Sequence, residues 1–76
     1  MNAPRRKSLQ KVIDMLEALK SDVETARDEE KEYRDNIPEN MQESDRYYKS
    51  DEACDNLNYA MDNFDELIDF ITEAMA

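Results

Sequence analysis

The side chains best placed to do chemistry in this sequence are carboxylates. Asp55, Asp62 and Asp69 recur every seven residues, and Asp51, Asp65, Glu66 and Glu73 broaden the row. On a helix rising 1.5 Å per residue they make a rigid strip of negative charge about 30 Å long. Within it Asp62, Asp65, Glu66 and Asp69 are close enough along one helix to share a divalent ion. A solvated acidic face is the simpler reading, because carboxylate metal bundles usually add a histidine to each half-site. This chain has no histidine, which also removes the commonest general base. It has no glycine either, and so no phosphate-cradling loop, dinucleotide fingerprint or standard EF-hand turn. The residues therefore point to no enzyme, no cofactor and no metal.

A spaced row of carboxylates can still imitate a nucleic-acid backbone. A basic groove on a nuclease or repressor could accept it in place of phosphates and be blocked from its proper substrate. Twenty acidic against ten basic residues, a net charge of −10, argue against direct binding to nucleic acid or to an anionic membrane. A protein with a basic surface is the favoured partner. Tyr47 and Tyr48 adjoin in a polar stretch and could anchor such a partner near a loop, with packing against the end of the first helix as the plainer alternative. Arg5, Arg6 and Lys7 could touch phosphates, but pairing with an acidic helix end accounts for them without a ligand. Cys54 lies on an apolar seam, where a packed thiol is expected over a reactive one.

The elements that position these residues are two amphipathic helices. Leu9, Val12, Leu16, Leu19, Val23 and Ala26, then Glu30, Tyr33 and Ile37, alternate steps of three and four, the mark of a heptad seam. Ile13 and Met15 flank it and widen the stripe beyond one two-stranded contact. A second seam runs from Tyr47 through Cys54, Leu57, Met61, Phe64, Ile68, Ile71 and Met75, beside Ala53, Ala60, Leu67 and Ala74. Between them Pro38 disfavours helix at Ile37, and Asn36 is suited to a left-handed, helix-ending conformation. A short helical turn could open at Pro38. Ser44 and Ser50 compete to cap the second helix, and Ser50, followed by Asp51 and Glu52, has the stronger chemistry.

The expected fold is an all-α antiparallel two-helix hairpin: helix 1 over 4–35, a loop over 36–44 that reaches 50 if Ser50 is the cap, and helix 2 over 45–75. Charge agrees with the orientation. Residues 1–20 hold five basic and two acidic side chains, and residues 51–76 hold eight acidic and none basic. Arg5, Arg6, Lys7 and Lys11 are expected beside Asp65, Glu66, Asp69 and Glu73. At 76 residues a single hairpin has a marginal core, and one cysteine cannot form an internal disulfide. Self-association into a four-helix bundle, most simply a homodimer, is the expected supplement. Leu9, Val12, Leu16, Leu19, Val23, Leu57, Met61, Phe64, Leu67, Ile68 and Ile71 would serve helix packing or that association. With no export signal or membrane-spanning apolar run, the expected location is the cytoplasm.

The stretch from Glu29 through the Asn36-Ile-Pro-Glu-Asn-Met-Gln42 loop to Tyr48, with Ser50-Asp-Glu-Ala-Cys-Asp-Asn-Leu57, resembles small acidic proteins of bacteriophages and mobile elements in gut and Gram-positive bacteria. The resemblance implies a bacterial host cell and a small protein that binds and inhibits a host factor. It carries over no catalytic residues. A structural role, oligomerising or capturing a partner helix through the wide apolar stripe, is the alternative.

Overall fold

The computed structural model describes residues 1–76 as two long helices and a short 3₁₀ turn. Helix α1 runs Ala3–Asp35 and helix α2 runs Asp45–Ala74, with a 3₁₀ turn at Glu39–Met41 between them. Helix α1 starts where the Asn2 side chain accepts the Arg5 N–H at 2.9 Å, satisfying one of the free donors of the first turn. Pro4 sits in that same turn, where no N–H is needed.

Helix α1 ends for the reason its proline suggests, but not through the geometry expected of Asn36. Asn36 keeps a right-handed conformation (φ −86°, ψ −4°), and no residue in the chain has positive φ. The break is made by Pro38 (φ −56°, ψ 145°), which forces the preceding residue out of the helix. The freed chain turns through Met41, whose N–H donates to the Pro38 carbonyl at 2.8 Å. Ser44, extended at φ −78° and ψ 158°, then caps α2: its hydroxyl accepts the Tyr47 N–H at 3.4 Å and donates to the Met41 carbonyl at 2.6 Å. Ser50 is not the cap. It is buried inside α2 and donates to the Glu30 carbonyl at 3.4 Å, because it falls on the inward seam between Tyr47 and Cys54.

The helices lie antiparallel in a rod 59 Å long and 15 Å by 12 Å across. Helix α2 uses the expected seam, with Tyr47, Leu57, Met61, Phe64, Ile68, Ile71 and Met75 half-buried and Cys54 buried. Helix α1 is turned from expectation. Its inward row is Leu9, Ile13, Leu16, Lys20, Val23, Arg27, Glu30, Arg34 and Ile37. Ile13 is 6% exposed while its neighbour Val12 is 40% and Leu19 is 51% exposed. Val12, Leu19, Ala26 and Tyr33 are therefore exposed beside the inward row, and Leu67 of α2 is likewise exposed. The cause is the width of the α1 stripe. One neighbour covers only part of it, and the chosen rotation brings Lys20, Arg27 and Arg34 within reach of polar groups on α2.

Only Ile13, Ile37, Ser50 and Cys54 are buried. With so few enclosed side chains, each one carries a large share of the stability. Replacing Ile37 with alanine is expected to cost about 2–4 kcal/mol, while the same change at nearby, exposed Met41 costs under about 1 kcal/mol. Urea denaturation followed by helical circular dichroism measures both.

Candidate functional site

One edge of the hairpin is a ladder of polar contacts with a seven-residue period. Lys20 meets Asp65 at 2.5 Å, Arg27 meets Asn58 at 2.7 Å, and Arg34 meets Asp51 at 2.8 Å. Seven and fourteen residues before Lys20 stand Ile13, which is buried, and Arg6, whose Nε donates to the Met75 carbonyl at 2.9 Å. That last contact places a cation on the carbonyl end of α2, whose final turn has no basic residue of its own. The ladder corrects the expected charge pairing. Of the N-terminal bases only Arg6 makes an interhelical hydrogen bond, to backbone rather than to a carboxylate, and Asp65 is taken by Lys20. The signal for this edge was present as a seven-residue recurrence of Arg6, Lys20, Arg27 and Arg34 opposite one of Asp51, Asn58 and Asp65.

The ladder divides the predicted acidic strip. Asp51 and Asp65 are held by Arg34 and Lys20, whereas Asp55, Asp62, Glu66, Asp69 and Glu73 are exposed and take part in no ion pair. Those five project from the outer side of α2, with the exposed Tyr59 among them. No three His, Cys, Asp or Glu side chains converge in a way that could hold a metal ion. Tyr47 is half-buried and Tyr48 is 56% exposed, their rings meeting edge to face at 6.2 Å. Cys54 lies enclosed between the helices. Burial pushes its thiol up from the ordinary value, with Arg34 opposing, as expected for a packed side chain.

The opposite edge carries little charge. Two of its side chains are tied across the hairpin, Arg46 standing over the Tyr33 ring at 5.6 Å, which shows that the exposed row of α1 and the Ala53 row of α2 share a side. On α1 that side holds Val12, Met15, Leu19, Asp22, Ala26, Glu29 and Tyr33, again in steps of three and four. On α2 it holds Ala53, Asn56, Ala60, Asn63, Leu67, Phe70 and Ala74, a heptad-spaced seam without a single charge. Met15 is 65%, Phe70 62% and Leu67 46% exposed. A shallow open hollow lined by Ala60, Asn63, Phe64 and Leu67 marks the middle of this seam. Sequence reading found the alanine row but not the Asn56, Asn63 and Phe70 positions that complete it.

No helix is long and apolar enough to cross a membrane. Compared with protein families, with curated proteins and with solved structures, the chain matches none of them.

Lys20 is held above the ordinary ammonium value, first by its hydrogen bond to Asp65 and then by the charges of Asp65, Glu24 and Asp62. Lys20 and Cys54 thus both bind their protons more tightly in the folded chain. The stability they contribute is complete below their unfolded values, about 8.5 for a thiol and 10.4 for an ammonium, and is lost as pH rises through the folded ones. The urea midpoint should therefore fall as pH is raised from about 8 to 11, and Lys20→Met should flatten the upper part of that fall. At pH 8 the native Cys54 thiol should react with a thiol reagent only as fast as the chain unfolds.

Proposed function

We propose that this chain is a non-enzymatic protein-binding module that presents the outer acidic face of α2 to a partner with a basic surface. The observation that carries this reading is the division of the carboxylates: Asp55, Asp62, Glu66, Asp69 and Glu73 stay exposed and free of ion pairs, while four basic side chains are spent on the other edge. A continuous helix of 30 residues holds them at fixed spacing, so little ordering entropy is lost when a basic groove closes on them. A groove evolved for phosphates would release its counterions to these carboxylates just as it does to a nucleic-acid backbone. The resemblance of the loop and its following helix to small phage and mobile-element proteins supports a bacterial host factor as that partner, with inhibition as the outcome.

A second reading is favoured by a separate observation, the exposure of Val12, Met15, Leu19, Leu67 and Phe70 on one side of the rod. In that reading the module works by helix packing, through assembly or capture of an amphipathic helix.

The acidic-face reading is tested by immobilising the chain, passing a bacterial lysate over it at low salt and eluting with a salt gradient. Basic proteins are expected to bind and to leave at moderate salt, as electrostatic contacts do. The variant Asp55→Asn, Asp62→Asn, Asp69→Asn should lose at least about tenfold in affinity for them. Undiminished binding by that variant, or retention of no basic protein, would remove the acidic face from the mechanism.

A further inference from the structure

We propose that the low-charge side of the hairpin receives a cationic amphipathic helix, whose apolar face seats on Val12, Met15, Leu19, Leu67 and Phe70 while its lysines or arginines reach carboxylates along both rims. The inference rests on the helix-packing reading and adds to it the chemistry of the partner.

The apolar floor is continuous across the two helices. The Ser50–Glu30 and Arg6–Met75 contacts and the three rungs of the ladder all join residues whose numbers add to between 80 and 85. At either limit Val12, Met15 and Leu19 run alongside the stretch from Met61 to Glu73, which holds Leu67 and Phe70. These five side chains are 40% to 65% exposed. The open hollow at Ala60, Asn63, Phe64 and Leu67 extends the floor toward the loop. A helix with apolar residues at steps of three and four fits such a floor, and Met15 adapts its shape to what it meets.

The rims supply the charge. On α2 the next strip outward from Asn56, Asn63 and Phe70, three or four residues away, is Glu52, Tyr59, Glu66 and Glu73. On α1 Asp22 and Glu29 lie in the exposed row itself, with Glu32 one step beyond. All six carboxylates are exposed and none is in an ion pair. No base stands among them. Between Val12 and Tyr33 the bases of α1 are Lys20 and Arg27, which hold the ladder, and Lys31, three or four residues from Arg27 and Arg34 on that same edge. Helix α2 has no base after Lys49. Lys11 and Lys49 bound the stretch at its two ends, and over about 30 Å between them the floor is bordered by unpaired negative charge. Arg46 shows how a cation settles on this side, its guanidinium 5.6 Å over the Tyr33 ring.

The rims also decide between occupants. A second copy laid on this face brings six more carboxylates to the six already there, and a nucleic acid or an anionic membrane brings phosphates. A cationic amphipathic helix covers the floor and pairs the rims together.

Fluorescence anisotropy of a labelled peptide tests the proposal. A helix of about 18 residues, with leucines along one face and lysines elsewhere, is expected to bind the full chain with micromolar affinity at physiological salt. A scrambled peptide of the same composition should bind at least about tenfold more weakly, and the same leucine face carried on glutamates should not bind. In the protein, Met15→Gln with Phe70→Ser should weaken binding of the lysine peptide at least about tenfold. Glu66→Gln with Glu73→Gln should weaken it about threefold or more and flatten its dependence on salt. Asp55→Asn, Asp62→Asn, Asp69→Asn, on the outer face, should change it by less than about threefold. All these residues are exposed, and helical circular dichroism of each variant separates lost binding from lost folding. Equal binding of the scrambled peptide, or an unchanged affinity in the Met15→Gln, Phe70→Ser variant, would overturn the proposal while leaving the acidic-face reading in place. Preference for the glutamate peptide would overturn it while leaving helix packing in place. A dimer in sedimentation equilibrium that the Met15→Gln, Phe70→Ser variant dissociates would assign the face to a second copy and overturn it as well.

Discussion

Each helix in this molecule has one neighbour, and a helix with one neighbour can bury only a single line of side chains. In a three- or four-helix bundle an inward residue is enclosed from several directions, whereas here it meets one facing row and the solvent on both flanks. That geometry is why Ile13, Ile37 and Cys54 are the only apolar residues buried and why no large side chain is fully enclosed. Flanking positions must then be filled by residues that tolerate partial exposure. Long cations suit this role, since their stems cover the seam and their charges reach its edge. Lys20, Arg27 and Arg34 occupy inward positions on α1 for that reason, and each finds an oxygen on α2.

Those contacts do more for register than for stability. Lys20–Asp65 and Arg34–Asp51 are ion pairs that water screens, and Arg27 meets a neutral amide. A slip by one heptad would keep apolar opposite apolar, so the hydrophobic pattern alone leaves such a slip weakly opposed. The ladder opposes it from several points together. After a slip Arg6 would leave the Met75 carbonyl, and the Ser50 hydroxyl would lose the Glu30 carbonyl. The ends carry the same preference. Helix α1 opens with Arg5, Arg6 and Lys7 and α2 closes with Glu73, each charge unfavourable to its own helix dipole. Antiparallel pairing sets the two unfavourable ends together, where each compensates the other.

The fold was legible because two strong signals agreed: steps of three and four along both segments, and a proline between them. What sequence could not rank was which of several apolar lines faces inward. Around α1 the choice lay between Val12 and Ile13, and between Leu19 and Lys20, and hydrophobicity favours Leu19 over Lys20. The rotation adopted takes Ile13 into the core and leaves Lys20 within reach of Asp65 on α2. Local rules likewise preferred Ser50 over Ser44 as the cap. They could not register that Ser50 stands on the inward seam, where its hydroxyl has a carbonyl of the other helix to satisfy. The acidic row was visible as composition and spacing, but its division into held and free carboxylates depends on where α1 points its bases.

That division shapes what the surface can do. The free carboxylates at Asp55, Asp62 and Asp69 precede the Asn56, Asn63 and Phe70 positions by one residue, so about 100° of helix separates the acidic outer face from the charge-free seam. At physiological ionic strength charges interact weakly beyond about 8 Å. Acid placed on the outer face therefore leaves the adjoining uncharged seam little affected, even at a net charge of −10. Had the same carboxylates been spread evenly around α2, any neighbour would have had to strip water from several of them. Concentrating them instead leaves the α2 seam from Ala53 to Ala74 without a charge.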